Sequence, residues 1–250
     1  MPRRARKLSD SGIYHIILRG INRQLIFEDE DDHSNFLAIL QTYKGVCDYQ
    51  LLAYCLMSNH VHLLVKVNQM PLGDVMRRIA GKYARHFNDE YQRSGHLFQD
   101  RFKSEPIDDD GYLLAVLRYI HLNPCKAGIV AHSADYPHSS YHDYLRKRSE
   151  ALTDTEFILG MIDRERFVRF HEEASEKKCL EIENPRQLPP PDELIRKRIL
   201  ELFGCRAATD LQKLEKSVRN AAIRKLRKEG ISIRQLARLT GISKSVIARQ

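Results

Sequence analysis

The chain has 250 residues, of which 42% are hydrophobic, enough for one sizeable core with a smaller appendage, so one or two domains are expected. No run of about 18 apolar residues is present, and the basic start Met1-Pro2-Arg3-Arg4-Ala5-Arg6-Lys7 has no apolar segment behind it, so a soluble, cytoplasmic protein without a membrane partner is expected. Cys47, Cys55, Cys125, Cys179 and Cys205 are odd in number and form no C-x-x-C pair, which argues against both a disulfide framework and a cysteine-based zinc site.

In chain order, Ile13 to Leu18 reads as a buried strand, and Asp29 to Tyr43 as a helix with Phe36, Leu37 and Leu40 at helical spacing. Tyr49 to Met57 and His60 to Val67 form two strands joined by a tight Ser58-Asn59 turn. Pro71 to Asn88 is a second helix and Phe98 to Ile107 an extended segment. Asp108, Asp109 and Asp110 then open a third helix, because carboxylates favour the positive helix start. This order predicts an α+β fold, a ferredoxin-like antiparallel sheet with helices packed on one face. The predicted division is residues 1–150 for that domain, 151–191 for a helical extension and proline-rich linker, and 192–250 for a small all-α domain.

Within the third strand, His60 and His62 alternate with Val61 and Leu63, so both imidazoles project from one face of the strand. Two imidazoles on one face can hold a divalent metal while leaving positions open for substrate oxygens. Two partly exposed sheet histidines remain the plainer alternative for so short a motif. On the third helix Tyr112, Val116, Tyr119 and Asn123 fall on one side and Leu113, Leu117 and Ile120 on another, so Tyr119 and Asn123 can reach a common place. Pro124 disfavours helical geometry at the preceding residue, which predicts that Asn123 sits at the helix end.

Net charge is +8, and from Leu211 to Gln250 eleven Lys/Arg stand against two Glu, leaving residues 1–210 near −1. A basic segment of this kind suits a polyanionic partner, nucleic acid before membrane. Ser232 to Arg249 holds two short apolar-periodic helices about Gly241, with Ser243 able to cap the second. That is helix-turn-helix spacing, with Lys244 and Arg249 as candidate DNA contacts, although a generic helical hairpin would look the same.

His60-Val61-His62, Tyr119 and Asn123 together resemble the HUH single-tyrosine transposases of the IS200/IS605 type and their REP-associated tyrosine transposase branch. The resemblance runs across residues 9–145. It is carried also by Leu18-Arg19-Gly20-Ile21-Asn22-Arg23, Ala53-Tyr54-Cys55-Leu56-Met57-Ser58-Asn59-His60-Val61-His62-Leu63-Leu64-Val65, Gly95-His96-Leu97-Phe98-Gln99-Asp100-Arg101-Phe102-Lys103-Ser104, Tyr119-Ile120-His121-Leu122-Asn123-Pro124 and Asp135-Tyr136-Pro137-His138-Ser139-Ser140-Tyr141. Ser58 stands where the family commonly has proline, and His138 where it commonly has tryptophan. Residues 192–250 resemble, more weakly, the DNA-binding domain of the replication initiator DnaA.

The resemblance implies a transesterase acting on single-stranded DNA beside a hairpin such as a REP palindrome, through a 5′-phosphotyrosine at Tyr119. It implies Mg²⁺ or Mn²⁺ held by His60, His62 and Asn123, and a protein working as monomer or homodimer at the bacterial nucleoid. Arg3, Arg4 and Arg6 would help read bases flanking the hairpin, and Arg19, Asn22, Arg23, Arg101 and Lys103 would meet the phosphate backbone. Duplex DNA would be held by the C-terminal domain. Two alternatives remain: a non-catalytic regulator using only the helix-turn-helix, and a metal-dependent hydrolase without a covalent step.

Overall fold

The computed structural model describes residues 6–145, 151–173, 179–180, 192–204, 207–229, 231 and 233–250. The chain divides into two units, Met1–Glu183 and Asn184–Gln250.

In the first unit four strands, β1 (Ile13–Arg19), β2 (Tyr49–Met57), β3 (His60–Val67) and β4 (Lys103–Pro106), form one antiparallel sheet in the order β2-β3-β1-β4. The β2–β3 pair is the predicted hairpin, turning at Ser58-Asn59. Helices α1 (Glu30–Cys47), α2 (Leu72–Glu90) and α3 (Asp110–Lys126) follow the predicted elements closely. Asp29 caps α1 by accepting from the Asp32 amide, and Asp109 caps α3 by accepting from Tyr112 at 2.7 Å.

The alternation of each strand decides which helix goes where. Tyr14, Ile16 and Leu18 of β1 lie in register with Val65, Leu63 and Val61 of β3, and all six join the apolar core with Phe36 and Leu40 of α1 and Met76, Ile79 and Phe87 of α2. The other face of the same two strands carries His15, Ile17, His60 and His62. Helices on one face therefore describe α1 and α2, whereas α3 packs on the opposite face, where Tyr119 meets His15 and His62. That placement has a cause in α3 itself: both of its predicted sides, Leu113, Leu117 and Ile120 on one and Val116 and Tyr119 on the other, are buried. A helix buried on both sides needs a neighbour beyond the sheet.

That neighbour comes from the end of the predicted 1–150 domain, which supplies α4, and from the predicted extension 151–191, which supplies α5 and α6. Helices α4 (Tyr141–Leu145), α5 (Thr155–Leu159) and α6 (Arg164–Glu172) pack into the first unit. Phe167 stacks on Tyr144 at 4.7 Å and 10°, and His171 hydrogen-bonds His121 of α3 at 3.0 Å. Asp154 exchanges two 2.8 Å hydrogen bonds with the Leu51 backbone. The proline-rich run at 184–191 lies outside the described residues.

The second unit holds α7 (Asp192–Phe203), α8 (Lys216–Lys228), α9 (Ile233–Thr240) and α10 (Lys244–Ala248) around a core of Ile195, Ile199, Leu226, Leu236 and Ile247. Gly241 turns the chain between α9 and α10 at φ +73°, and a Cβ there would fall 2.3 Å from the Gln212 amide nitrogen. Only glycine fits. No helix among the described residues is long and apolar enough to cross a membrane.

Candidate metal and tyrosine site

His60 begins β3 directly after the hairpin turn, and its side chain is fixed by the residue before it. Its Nδ1 lies 2.7 Å from Asn59 Oδ1, while Asn59 Nδ2 donates to the Arg23 carbonyl. With the amide oriented by that second bond, Oδ1 can only accept, so His60 Nδ1 carries the proton and Nε2 keeps its lone pair. His62, two residues on, is fully buried; its Nδ1 lies 3.0 Å from Nε2 of His15 on β1. Its Nε2 is buried and has no hydrogen-bond partner. A buried polar atom without a partner costs about 1–3 kcal/mol, so its presence points to a ligand.

Both imidazoles are neutral at ordinary pH. Burial, then the Arg19 guanidinium, holds His60 down to about 3, against a smaller opposing effect of its hydrogen bond to Asn123. Burial also holds His62 well below its usual value, with His60, His15 and Lys126 adding to the effect. Neutral imidazole is the form that binds metal.

Helix α3 brings the remaining parts. Asn123 Nδ2 donates to the Tyr119 carbonyl at 3.1 Å, and its side chain reaches His60. The Tyr119 ring stands edge-on to His62 at 5.6 Å and to His15 at 5.8 Å, and is 9% exposed. The predicted helix end at Asn123 is corrected: α3 continues through Pro124 to Lys126, and the Ala127 amide closes onto the Asn123 carbonyl at 3.0 Å. Proline removes one donor, but so near the helix end the ladder re-forms beyond it. The consequence is that Tyr119 and Asn123 stay one helical turn apart and face the histidines together.

The site contains residues that the sequence did not single out. His15 looks like one polar residue in the apolar strand Ile13-Tyr14-His15-Ile16-Ile17-Leu18, and that break in the apolar run is its only signal. For His62 Nε2 to present a lone pair, the shared proton must sit on His62 Nδ1 and be accepted by His15 Nε2. His15→Ala should therefore weaken Mn²⁺ binding by about 10- to 100-fold with the fold intact, as read by calorimetry or by the free Mn²⁺ electron-resonance signal. Lys126, two residues beyond the quoted motif, places its ammonium 4.4 Å from the Tyr119 ring centre.

The basic candidates separate into groups. Arg19 is the register partner of His60 and lies beside it. Arg23 and Asn22 sit in the loop after β1, both at positive φ, and that loop is held to the hairpin by the Gly20 amide bonding Asn59. A Cβ on Gly20 would fall 2.3 Å from the Gln24 carbonyl oxygen, so this close turn requires glycine. Arg6, Arg101 and Lys103 line a different groove, where the Arg6 guanidinium stacks on Phe102 at 3.7 Å. Arg3 and Arg4 lie outside the described residues. Lys244 and Arg249 are exposed on the second unit.

Residues 9–123, just under half of the chain, match the family model described as "Transposase IS200 like". This segment is similar to the IS200-like transposases. A curated Haemophilus influenzae protein described as "Putative REP-associated tyrosine transposase" is 33% identical over 115 residues, covering 40% of this chain and 65% of that relative. A solved REP-associated tyrosine transposase bound to a REP hairpin aligns with TM-score 0.51 at 18% identity, covering 62% of this chain and 94% of the other. That likeness supports the fold. The IS200-like match begins before β1 and ends at Asn123, so it takes in His60, His62, Tyr119 and Asn123.

Proposed function

We propose that the first unit cuts and rejoins single-stranded DNA beside a hairpin, with Tyr119 as nucleophile. The observation that carries this reading is the Tyr119 ring edge-on to His62, whose buried Nε2 lacks a partner. The residues present fit a divalent ion: His60 Nε2, His62 Nε2 and Asn123 Oδ1 form a mixed nitrogen and oxygen donor set with no thiolate, which suits Mn²⁺ or Mg²⁺. Bound there, such an ion would supply Lewis-acid polarisation of the scissile phosphate.

The chain's own residues then do the rest. The phenolic oxygen of Tyr119 forms a bond to phosphorus, the bond from phosphorus to the 3′ oxygen breaks, and the phenolic proton ends on the departing 3′-hydroxyl. The Lys126 ammonium beside the ring favours negative charge on the phenolic oxygen as the proton leaves. Arg19 and Arg23 at the His60 end supply charge for the backbone phosphates on either side. Because an aryl phosphodiester retains the energy of the original bond, a 3′-hydroxyl from another strand reverses the step without ATP. Deep placement of Tyr119 between α3 and the sheet favours a flexible single strand over a duplex.

The test is incubation with end-labelled hairpin DNA and Mn²⁺, followed by a denaturing gel and mass mapping of the labelled peptide. A metal-dependent adduct on the peptide bearing Tyr119 is expected. Nicking without an adduct would favour the hydrolase, and duplex binding without either would favour the regulator.

The second unit holds duplex DNA in this proposal, through the exposed cations Lys244 and Arg249 on and beside α10. Replacing both with Glu should lower duplex affinity and reduce the slope of log affinity against log salt by about 2. An unchanged slope would move the duplex contact elsewhere.

A further inference from the structure

Outside the tyrosine site, Glu30, His33 and His138 converge at the start of α1, with one ligand atom from each lying within 4.8 Å of the others. Glu30 and His33 are three residues apart on the first turn of α1, so they share a face. His138 comes from the loop before α4, and its carbonyl is fixed by the Leu56 amide of β2 at 2.9 Å. Two segments about a hundred residues apart thus supply one cluster.

His33 is prepared for a ligand role by its surroundings. His33 Nδ1 lies 2.8 Å from the Asp29 carbonyl, which can only accept. Its proton is therefore on Nδ1 and its Nε2 lone pair is free for a metal. The ring stacks on Phe27, at 4.4 Å and 17°, and on His138, at 3.7 Å and 15°, and because imidazole lone pairs lie in the ring plane a shared ion requires His138 to turn out of this stack. Burial first and His138 second push His33 down to about 4, so the ring is neutral at neutral pH. His138 Nε2 is 3.3 Å from Glu30 Oε1. Tetrahedral ligands bound at about 2.1 Å stand roughly 3.4 Å apart, so an ion held by this pair takes the place of the proton that His138 Nε2 directs at the carboxylate. Glu30 is four-fifths exposed, which leaves its carboxylate free to swing and an approach path open.

We infer that Glu30, His33 and His138 form a second metal site, distinct from the His60/His62 site, which takes a borderline transition-metal ion of the Zn²⁺ class. Two imidazoles and one carboxylate suit Zn²⁺ and disfavour Mg²⁺. Three ligands from α1 and the loop against β2 would fasten those segments together, leaving one position for water. The inference does not depend on the transposase reading.

The test uses the full chain and Zn²⁺ itself, with bound metal counted by equilibrium dialysis and elemental analysis in wild type, His62→Ala, His138→Phe and the double variant. Phe at 138 keeps a ring against His33 and removes the ligand. Wild type should bind a second equivalent that His138→Phe loses and His62→Ala retains, and the double variant should bind neither. Glu30→Gln, at an exposed position that tolerates change, should weaken that equivalent by about tenfold or more. Equal Zn²⁺ content in wild type, His138→Phe and Glu30→Gln overturns the site. A loss seen only in His62→Ala would speak to the tyrosine site alone.

Discussion

Tyr119→Phe should form no covalent DNA adduct, with the cutting rate down by on the order of 10³-fold or more, while Mn²⁺ affinity and thermal stability stay close to wild type. The variant deletes one oxygen. The ring that remains still packs edge-on against His15 and His62 and still accepts the Lys126 ammonium on its face. None of the proposed metal donors, His60, His62 and Asn123, depends on the phenolic oxygen: the Asn123 amide is held by the Tyr119 backbone carbonyl, which Phe also supplies. Binding and chemistry are thus separated by a single atom. Calorimetry with Mn²⁺ and a cleavage time course on the same preparation make the measurement. A variant that still nicks DNA at a comparable rate would mean that water attacks and that Tyr119 only lines the site. A variant that loses metal binding as well would mean that the ring supports the histidines, and adduct loss would then say nothing about the nucleophile.

Much of this arrangement was legible in the sequence because it rests on two short periodicities. The two-residue spacing of His60 and His62 puts them on one strand face, and the four-residue spacing of Tyr119 and Asn123 puts them on one helix face; the structure retains both. The side of the sheet on which α3 lies was not legible, since no local pattern says which of two faces a helix will cover. It depends on Phe167 and His171 arriving from α6 to bury the far side of α3, and α6 has only nine residues. The reach of α3 past Pro124 was misjudged because proline's local bias was weighed without the helix end that tolerates it. His15 was invisible for another reason. A histidine in an apolar strand reads as core until a partner 47 residues away shows which nitrogen it faces. Likewise His138 drew notice only as a departure from the family pattern, because its neighbours Glu30 and His33 are distant in sequence.

Acid should unfold the first unit well above the range in which carboxylates titrate. His15, His60, His62, His121 and His171 are all buried, and burial is the leading cause of a lowered pKa in each: to about 3 for His15 and His60, to about 4 for His171, and well below the usual value for His62 and His121. In the unfolded chain these groups titrate near 6.5. Between about pH 6.5 and 4 the unfolded state therefore binds more protons than the folded one, so the stability held at neutral pH is lost as pH falls through that window. Each such histidine costs about 2 kcal/mol by pH 5. Five acting together approach the ~5–15 kcal/mol that holds a typical domain. Metal-free protein should accordingly lose its tertiary structure between about pH 6 and 5, whereas carboxylates would act only below about pH 4.5. The readout is specific, because the chain has no tryptophan and all its tyrosines lie at or before Tyr144. Near-ultraviolet circular dichroism of tyrosine thus reports the first unit alone, and the second unit, which contains no histidine, should keep its helices through the same range. A tyrosine signal unchanged at pH 4.5 would mean that water or paired charges reach these imidazoles inside the fold. The neutral-ring account of His60 and His62 as metal donors would then fail with it.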